Sequence, residues 1–100
     1  MSENVIAPES AGSAESAEAA AAKSYPIAAD VNVRSGPGTS YAKVGRLSAG
    51  TRVTLYCQRP GETVTGPTGT SSIWDRIGSG RYVSDTYVRT GSDGYVAPRC

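Results

Sequence analysis

Few side chains in this sequence are suited to catalysis. The chain contains no histidine, so the commonest general base near neutral pH is absent. After residue 24 there are five acidic residues, and they show no paired spacing on one face of a strand. Asp85 and Asp93 stand in turn-like stretches, where aspartate is expected for structural reasons. We therefore expect a protein that binds a partner and is not an enzyme.

Metal and cofactor sites are also poorly supported. Cys57 and Cys100 are far apart in the sequence and have no histidine beside them, which is a poor match to a zinc site. The turn around Asp93 offers too few carboxylates for calcium. Gly36-Pro37-Gly38 precedes no predicted helix, as a phosphate-binding loop would require. We expect no metal and no cofactor.

The aromatic residues are the main candidates for recognition. If the aliphatic residues of the predicted strands point inward, alternation places Tyr56, Trp74, Tyr82 and Tyr95 on the opposite, outer face. Outward aromatics are either covered by loops or the N-terminal segment, or they line a recognition groove. Tyr41 could join this surface, and two arginines could attract carboxylates at its edge. The candidate ligand-binding residues are Trp74, Tyr56, Tyr82, Tyr95, Tyr41, Arg76 and Arg81.

The first 24 residues differ in composition from the rest. They hold eight Ala, five Ser, four Glu and one Lys, which is a net charge of −3, and no aromatic residue. Such a segment buries too little apolar surface to offset its ordering entropy, so we predict a disordered tail over residues 1–24 and one domain over residues 25–100. The domain has nine basic and five acidic residues. This charge is spread along the chain without a basic cluster, so nucleic acid is an improbable partner.

The domain shows short strands between turns and no sustained helical periodicity. In Thr51–Cys57, Val53, Leu55 and Cys57 fall on one face. Residues 58–72 are rich in Gly, Pro and Thr, and we interpret them as a polar connection in which Val64 could add a short strand. The pattern predicts an all-β protein with five or six short strands in a small barrel or sandwich.

Three stretches of the sequence form a set of motifs: Val31 to Tyr41 (VNVRSGPGTSY), Trp74–Ile77 and Tyr82–Val88. The first closely resembles the opening motif of the bacterial SH3 domain family, and the other two are similar to the closing strands of that family. The residues around Thr90–Gly94 and the last cysteine resemble a secreted actinobacterial subgroup. In the opening motif the residue types suit a tight turn, because glycine tolerates positive φ, proline fixes φ and short polar side chains cap loops. The predicted structural turn residues are Asn32, Gly36, Pro37 and Gly38.

The resemblance implies a fold and a function. The family implies an SH3-like barrel of five to six strands that targets peptidoglycan or its peptide parts. We therefore expect a monomeric module that binds cell-wall peptidoglycan or an extended peptide. A secreted protein–protein interaction module, such as an effector or an inhibitor, is the alternative.

Cys57 and Cys100 are predicted to form a disulfide. The resemblance to the secreted subgroup implies the pairing, and alternation places Cys57 on the inward face and Cys100 on the face of Val96 if that strand stays extended. Two reduced thiols in a cytosolic protein are the alternative. Small domains with thin cores use such bridges mainly in oxidising compartments, so we expect a secreted or envelope-associated protein. No secretory signal and no apolar stretch of membrane-spanning length is visible in the sequence.

Overall fold

A computed structural model describes residues 23–100 of the protein. The disordered tail predicted for the first 24 residues lies outside the described residues, apart from its last two positions. Lys23 and Ser24 belong to a strand that continues to Pro26, so the border predicted after residue 24 falls inside this strand.

The described chain is all-β, which confirms the predicted fold class and is consistent with an SH3-like barrel. It has seven strands, more than the five to six predicted, and they form a two-stranded sheet (β1-β4) and a five-stranded sheet (β3-β2-β7-β6-β5). All strand pairs within both sheets are antiparallel. The elements are β1 Lys23–Pro26, β2 Val31–Arg34, β3 Lys43–Leu47, β4 Arg52–Leu55, β5 Cys57–Gly66, β6 Gly69–Gly78, β7 Arg81–Ser84 and the 3₁₀ turn η1 Asp85–Tyr87.

The apolar core forms where strand alternation predicts it. In β4, Val53 and Leu55 are buried while Arg52 is exposed, and in β2 the two valines are buried while Asn32 and Arg34 are half-buried. Period-two alternation gives each of these strands one apolar face. The buried core cluster consists of Ile27, Val31, Val33, Val53, Leu55, Val83 and Val88.

A long hairpin replaces the predicted connection over residues 58–72. β5 and β6 are ten residues each and pair from Cys57↔Arg76 to Gly66↔Gly69, with an irregularity between Pro60 and Val64. The prediction was wrong because Gly and Pro were interpreted as loop formers. Here proline lies at a strand irregularity, where its missing N–H is tolerated, and the threonines between the glycines favour extended backbone.

The tip of this hairpin folds onto η1. The backbone N–H and the hydroxyl of Thr68 both donate to the Thr86 carbonyl oxygen, at 3.1 and 3.2 Å. A Cβ at Gly66 would lie 2.9 Å from the Tyr87 ring and 2.6 Å from the Thr86 hydroxyl oxygen. Only glycine permits this close approach. The hairpin therefore lies along the barrel and forms one wall of the cleft described below.

Residues 95–100, here called the C-terminal strap, close the other side of the barrel. The Gln58 N–H donates to the Pro98 carbonyl at 2.8 Å, and the Cys100 N–H donates to the Gln58 carbonyl at 2.9 Å. The predicted disulfide is confirmed, since Cys57 and Cys100 are bonded with an S–S distance of 2.11 Å. Cys57 is buried, whereas Cys100 is exposed.

Candidate functional site

A cleft of about 310 Å³ lies on the outer face of the five-stranded sheet. We call this face outer because its side chains alternate with the buried valines of β2 and with the interior residues of β6. Asn32 and Arg34 come from β2, Trp74 from β6 and Tyr87 from η1, and cross-strand partners in a sheet point to the same side. The lining residues are Asp30, Val31, Asn32, Arg34, Thr39, Arg46, Val64, Trp74, Ser84 and Tyr87.

Trp74 lines this cleft but is almost wholly covered. Only 2 % of its surface is exposed, and its indole N–H donates to the Glu62 backbone carbonyl at 2.8 Å. A Cβ at Gly61 would lie 2.9 Å from Trp74 Cδ1, so this part of β5 passes directly over the ring. Trp74 is therefore an outer-face aromatic that other parts of the chain cover, although an edge of its ring still reaches the cleft.

The loop between β2 and β3 is clamped to β5 beside Trp74. The backbone N–H and the hydroxyl of Thr39 both donate to Glu62 Oε1, at 2.6 and 2.7 Å, and the Glu62 N–H donates to the Pro37 carbonyl at 3.1 Å. The two hydrogen bonds from Thr39 lower the pKa of Glu62, and the charge of Arg34 adds to the effect. The clamp therefore holds the loop as a second wall of the cleft.

The glycines of this loop are needed for close packing. Gly36 and Gly38 are not among the glycines with positive φ, so the predicted reason for them was wrong. A Cβ at Gly36 would overlap the Tyr41 ring, and one at Gly38 would lie 3.4 Å from the same ring. Tyr41 therefore lies over the loop with 47 % of its surface exposed. Pro37 lies in the turn as predicted, and its carbonyl accepts from Glu62.

The cleft offers polar groups that can meet a ligand. Asn32, predicted as a turn residue, lies within β2. Its side-chain amide makes no hydrogen bond to another group among residues 23–100. Arg34 donates one weak hydrogen bond, 3.3 Å long, to the Tyr41 carbonyl, which leaves most of its guanidinium free to bind. Arg46 pairs with Asp30 at 3.2 Å, with both side chains more than half exposed. Alternation in β2 was the signal that could have identified Asn32 and Arg34.

Two predicted residues lie on the outer face but outside the cleft. Tyr82 is paired in register with Arg34 of β2 and with Arg76 of β6, so these three side chains lie on one side of the sheet. The pair of Tyr82 and Arg76 is a second surface beside the cleft. Arg81 alternates with Tyr82 and lies on the other side of the sheet, because a Cβ at Gly45 would be 3.3 Å from its guanidinium and 3.7 Å from the Cβ of Val33.

The remaining predicted aromatics lie elsewhere. Tyr56 stands between β4 and β5, half-buried, and its N–H donates to the Arg76 carbonyl at 3.0 Å. Tyr95 belongs to the C-terminal strap, where the Arg99 guanidinium lies 3.1 Å from its ring centroid. The structure therefore does not bring all seven predicted residues into one groove.

A buried polar cluster under the strap was missed by the sequence analysis. Gln58 and Asp75 are fully buried and Asp85 is 4 % exposed. The Gln58 amide nitrogen donates to Asp75 Oδ1 at 2.6 Å and to Asp85 Oδ1 at 3.2 Å. Burial raises the pKa of Asp75 to about 9, and the nearby Asp85 adds to this shift. Burial also raises the pKa of Asp85.

Within residues 23–100, no cluster of three or more His, Cys, Asp or Glu side chains is arranged to hold a metal ion. The helical structure there is limited to the three-residue η1, so this part of the chain contains no helix that could cross a membrane.

Comparison with known proteins identifies relatives along most of the chain. The sequence profile described as bacterial SH3 domain matches residues 29–100. Two proteins of Bacillus subtilis (strain 168) are also similar. The uncharacterized protein YraI is 47% identical over 97 residues, covering 85% of this chain and 82% of its own length. The uncharacterized protein YraJ is 51% identical over 80 residues, covering 72% of this chain and 68% of its own length.

These relatives correct one expectation. The predicted actinobacterial subgroup is not supported, because the relatives found come from Bacillus. The motifs that suggested the subgroup, a turn followed by a final cysteine, are short and therefore weakly specific.

Proposed function

This chain belongs to the bacterial SH3 domain family, and from that membership we propose that it binds the peptide part of peptidoglycan in the outer-face cleft. The family is one of binding modules. The observation that carries the proposal is the cleft itself, which is lined by Tyr87, an edge of Trp74, the side-chain amide of Asn32 and the guanidinium of Arg34.

The chemistry of the cleft suits a short extended peptide. Wall peptides carry backbone amides and carboxylates on small side chains. An asparagine amide both donates and accepts, so it can pair with a peptide group, and a guanidinium forms bidentate contacts with a carboxylate. The aromatic edges and Val64 offer apolar contact for small side chains. A cleft of this size holds a few residues of such a peptide.

A location outside the cytoplasm is part of the same proposal. The Cys57–Cys100 disulfide is compatible with it, because structural disulfides persist mainly in oxidising compartments. A module in such a location would meet peptidoglycan directly.

Sedimentation with purified peptidoglycan tests the proposal. We expect the oxidised protein to sediment with the polymer, and Asn32→Ala and Arg34→Gln each to weaken binding by roughly tenfold, about the effect of losing one hydrogen bond to a charged group. Arg89→Gln is the matched control, since Arg89 is exposed and does not line this cleft. Denaturation midpoints measured in parallel would show whether each variant is still folded.

The pair of Tyr82 and Arg76 is the competing surface in this experiment. If Arg76→Gln and Tyr82→Ala abolish sedimentation while Asn32→Ala does not, the ligand lies on that pair and not in the cleft. If the wild-type protein stays in the supernatant at every polymer concentration, wall binding is wrong, and a role in contacts with another protein becomes the better hypothesis.

A further inference from the structure

The C-terminal strap depends on one side chain inside the barrel. The Gln58 amide oxygen accepts from the Val96 N–H at 2.7 Å and from the Ala97 N–H at 2.8 Å. The amide nitrogen of the same side chain donates to both Asp75 and Asp85. The hydrogen bonds that hold the strap and those that reach the two carboxyl groups therefore share a single amide.

The two carboxyl groups cannot both be charged in this position. Neither carboxylate can donate a hydrogen bond when ionised, and together they face the single side-chain NH₂ group of Gln58, with Asp75 fully buried and Asp85 4 % exposed. Asp75 Oδ2 has no hydrogen-bond partner within the described chain. Two carboxylates that share a buried site keep one proton between them, because desolvation and mutual repulsion both oppose the second charge.

The neighbouring elements bring no compensating positive charge to the described interior. β4 contributes Val53 and Leu55, β7 contributes Val83, which is paired with Asp75, and the strap contributes Val96 and Ala97. Arg59 and Arg76 flank the cluster in β5 and β6, and alternation turns both to the outer face. Arg99 is stacked on Tyr95. Asp93, another acidic residue, lines the same surface pocket as Asp85.

We propose that Gln58, Asp75 and Asp85 form a proton-binding latch that keeps the C-terminal strap closed. In the closed state, the latch holds one proton on the carboxyl pair of Asp75 and Asp85. When residues 95–97 detach, water reaches both carboxyl groups and the proton is released, while the disulfide at Cys100 keeps the strap tethered for reclosing.

The sign of the pH dependence follows from this linkage. Burial holds the pKa of Asp75 at about 9 in the closed state, whereas a solvated aspartate has a pKa of about 4. Between these values the closed strap binds a proton that the open strap does not. Opening therefore becomes easier as the pH rises, by at most about tenfold per pH unit. Below the ordinary value both states are protonated and the dependence ends.

Amide hydrogen exchange of the oxidised protein tests the latch. The Val96 and Ala97 amides report on strap opening, and the Ile27 amide, which donates to the Thr51 carbonyl in the apolar part, is the internal control. After correction for intrinsic exchange, we expect the opening constant at Val96 and Ala97 to rise by at least about tenfold between about pH 5 and about pH 8. A flat opening constant at these two amides would overturn the proposal.

Matched variants separate the latch from general destabilisation. Asp75→Asn should remove the pH dependence at Val96 and Ala97, whereas Asp93→Asn, an exposed acid outside the cluster, should retain it. Persistence of the dependence in folded Asp75→Asn would contradict the proposal. Should Asp75→Asn fail to fold, carboxyl-carbon NMR titration of the wild-type protein decides the matter. One proton must remain on the Asp75–Asp85 pair near about pH 7, and ordinary titration of both groups would overturn the latch.

Discussion

The two faces of the five-stranded sheet bury their side chains in different ways. On the inner face, Asp75 of β6 is enclosed with Gln58 and Asp85, next to the apolar core and under the strap. On the outer face, the preceding residue, Trp74, is covered by the bulged part of β5 and by a loop. One strand thus places a carboxyl group in the interior and an indole ring on the outside.

This difference separates stability from binding. The inner polar groups depend on each other through hydrogen bonds in a buried cluster, so removing one leaves several others without a partner. The outer cover is held by contacts of exposed residues, such as Thr39 with Glu62. Water can replace those contacts at little cost. Substitutions on the inner face should therefore unfold the protein, and substitutions on the outer face should mainly change what the cleft binds.

The largest effect is expected at Gln58. Gln58→Leu removes the partner of both carboxyl groups and of the Val96 and Ala97 amides. Leaving these buried groups unsatisfied should lower the free energy of unfolding by at least roughly 4 kcal/mol, measured by urea denaturation. Arg59→Leu, one position along β5 and exposed, is the control and should change it by less than about 0.5 kcal/mol. A loss at Gln58 no larger than this would show that the polar cluster contributes little.

The disulfide should have the next largest effect. Cys57 and Cys100 are 43 residues apart, and by chain entropy a loop of this length contributes about 4 kcal/mol. Cys100→Ser should lower the thermal midpoint strongly, and reductant should lower that of the wild-type protein in the same way. Reductant should leave Cys100→Ser unchanged. Equal midpoints of the oxidised and reduced wild-type protein would mean that hydrogen bonds alone hold the strap.

Strand alternation made the apolar part of the fold predictable from the sequence. Val53 and Leu55 followed from β4, and the family motif located the opening strand and the loop after it. Cys57 and Cys100 were paired correctly, although Cys100 is exposed. These features depend on local patterns, which a single sequence displays.

Features that depend on distant contacts were missed. Alternation indicates which face Trp74 occupies, but it does not show that Gly61 and Glu62 cover the ring. Asp75 resembles any strand-flanking aspartate in the sequence, and its burial follows from partners 17 and 10 positions away, Gln58 and Asp85. The hairpin over residues 58–72 was interpreted as a loop because its glycines serve close packing, which composition does not reveal.

An intermediate effect is expected where Tyr41 packs on the loop. Gly36→Ala places a methyl group against the Tyr41 ring, and overpacking of this kind costs about 1–3 kcal/mol where the neighbour cannot move. Because Tyr41 is half exposed, the effect should fall at the low end of that range in urea denaturation. The double variant Gly36→Ala/Tyr41→Ala should recover most of the loss. Failure to recover would show that the backbone at residue 36, and not the ring, requires glycine.

The smallest effect is expected from Trp74→Phe, which tests whether the outer cover is separate from the core. The substitution keeps an aromatic ring but removes the hydrogen bond to the Glu62 carbonyl. Glu62 is exposed, so water can satisfy the freed oxygen, and the free energy of unfolding should fall by about 1 kcal/mol. The smaller ring should also loosen the clamped loop and weaken peptidoglycan binding more than it weakens folding. Urea denaturation and sedimentation with the polymer measure the two quantities on the same sample. If unfolding is instead affected as strongly as by Gln58→Leu, Trp74 belongs to the structural core of the domain, and the two faces do not divide stability from binding.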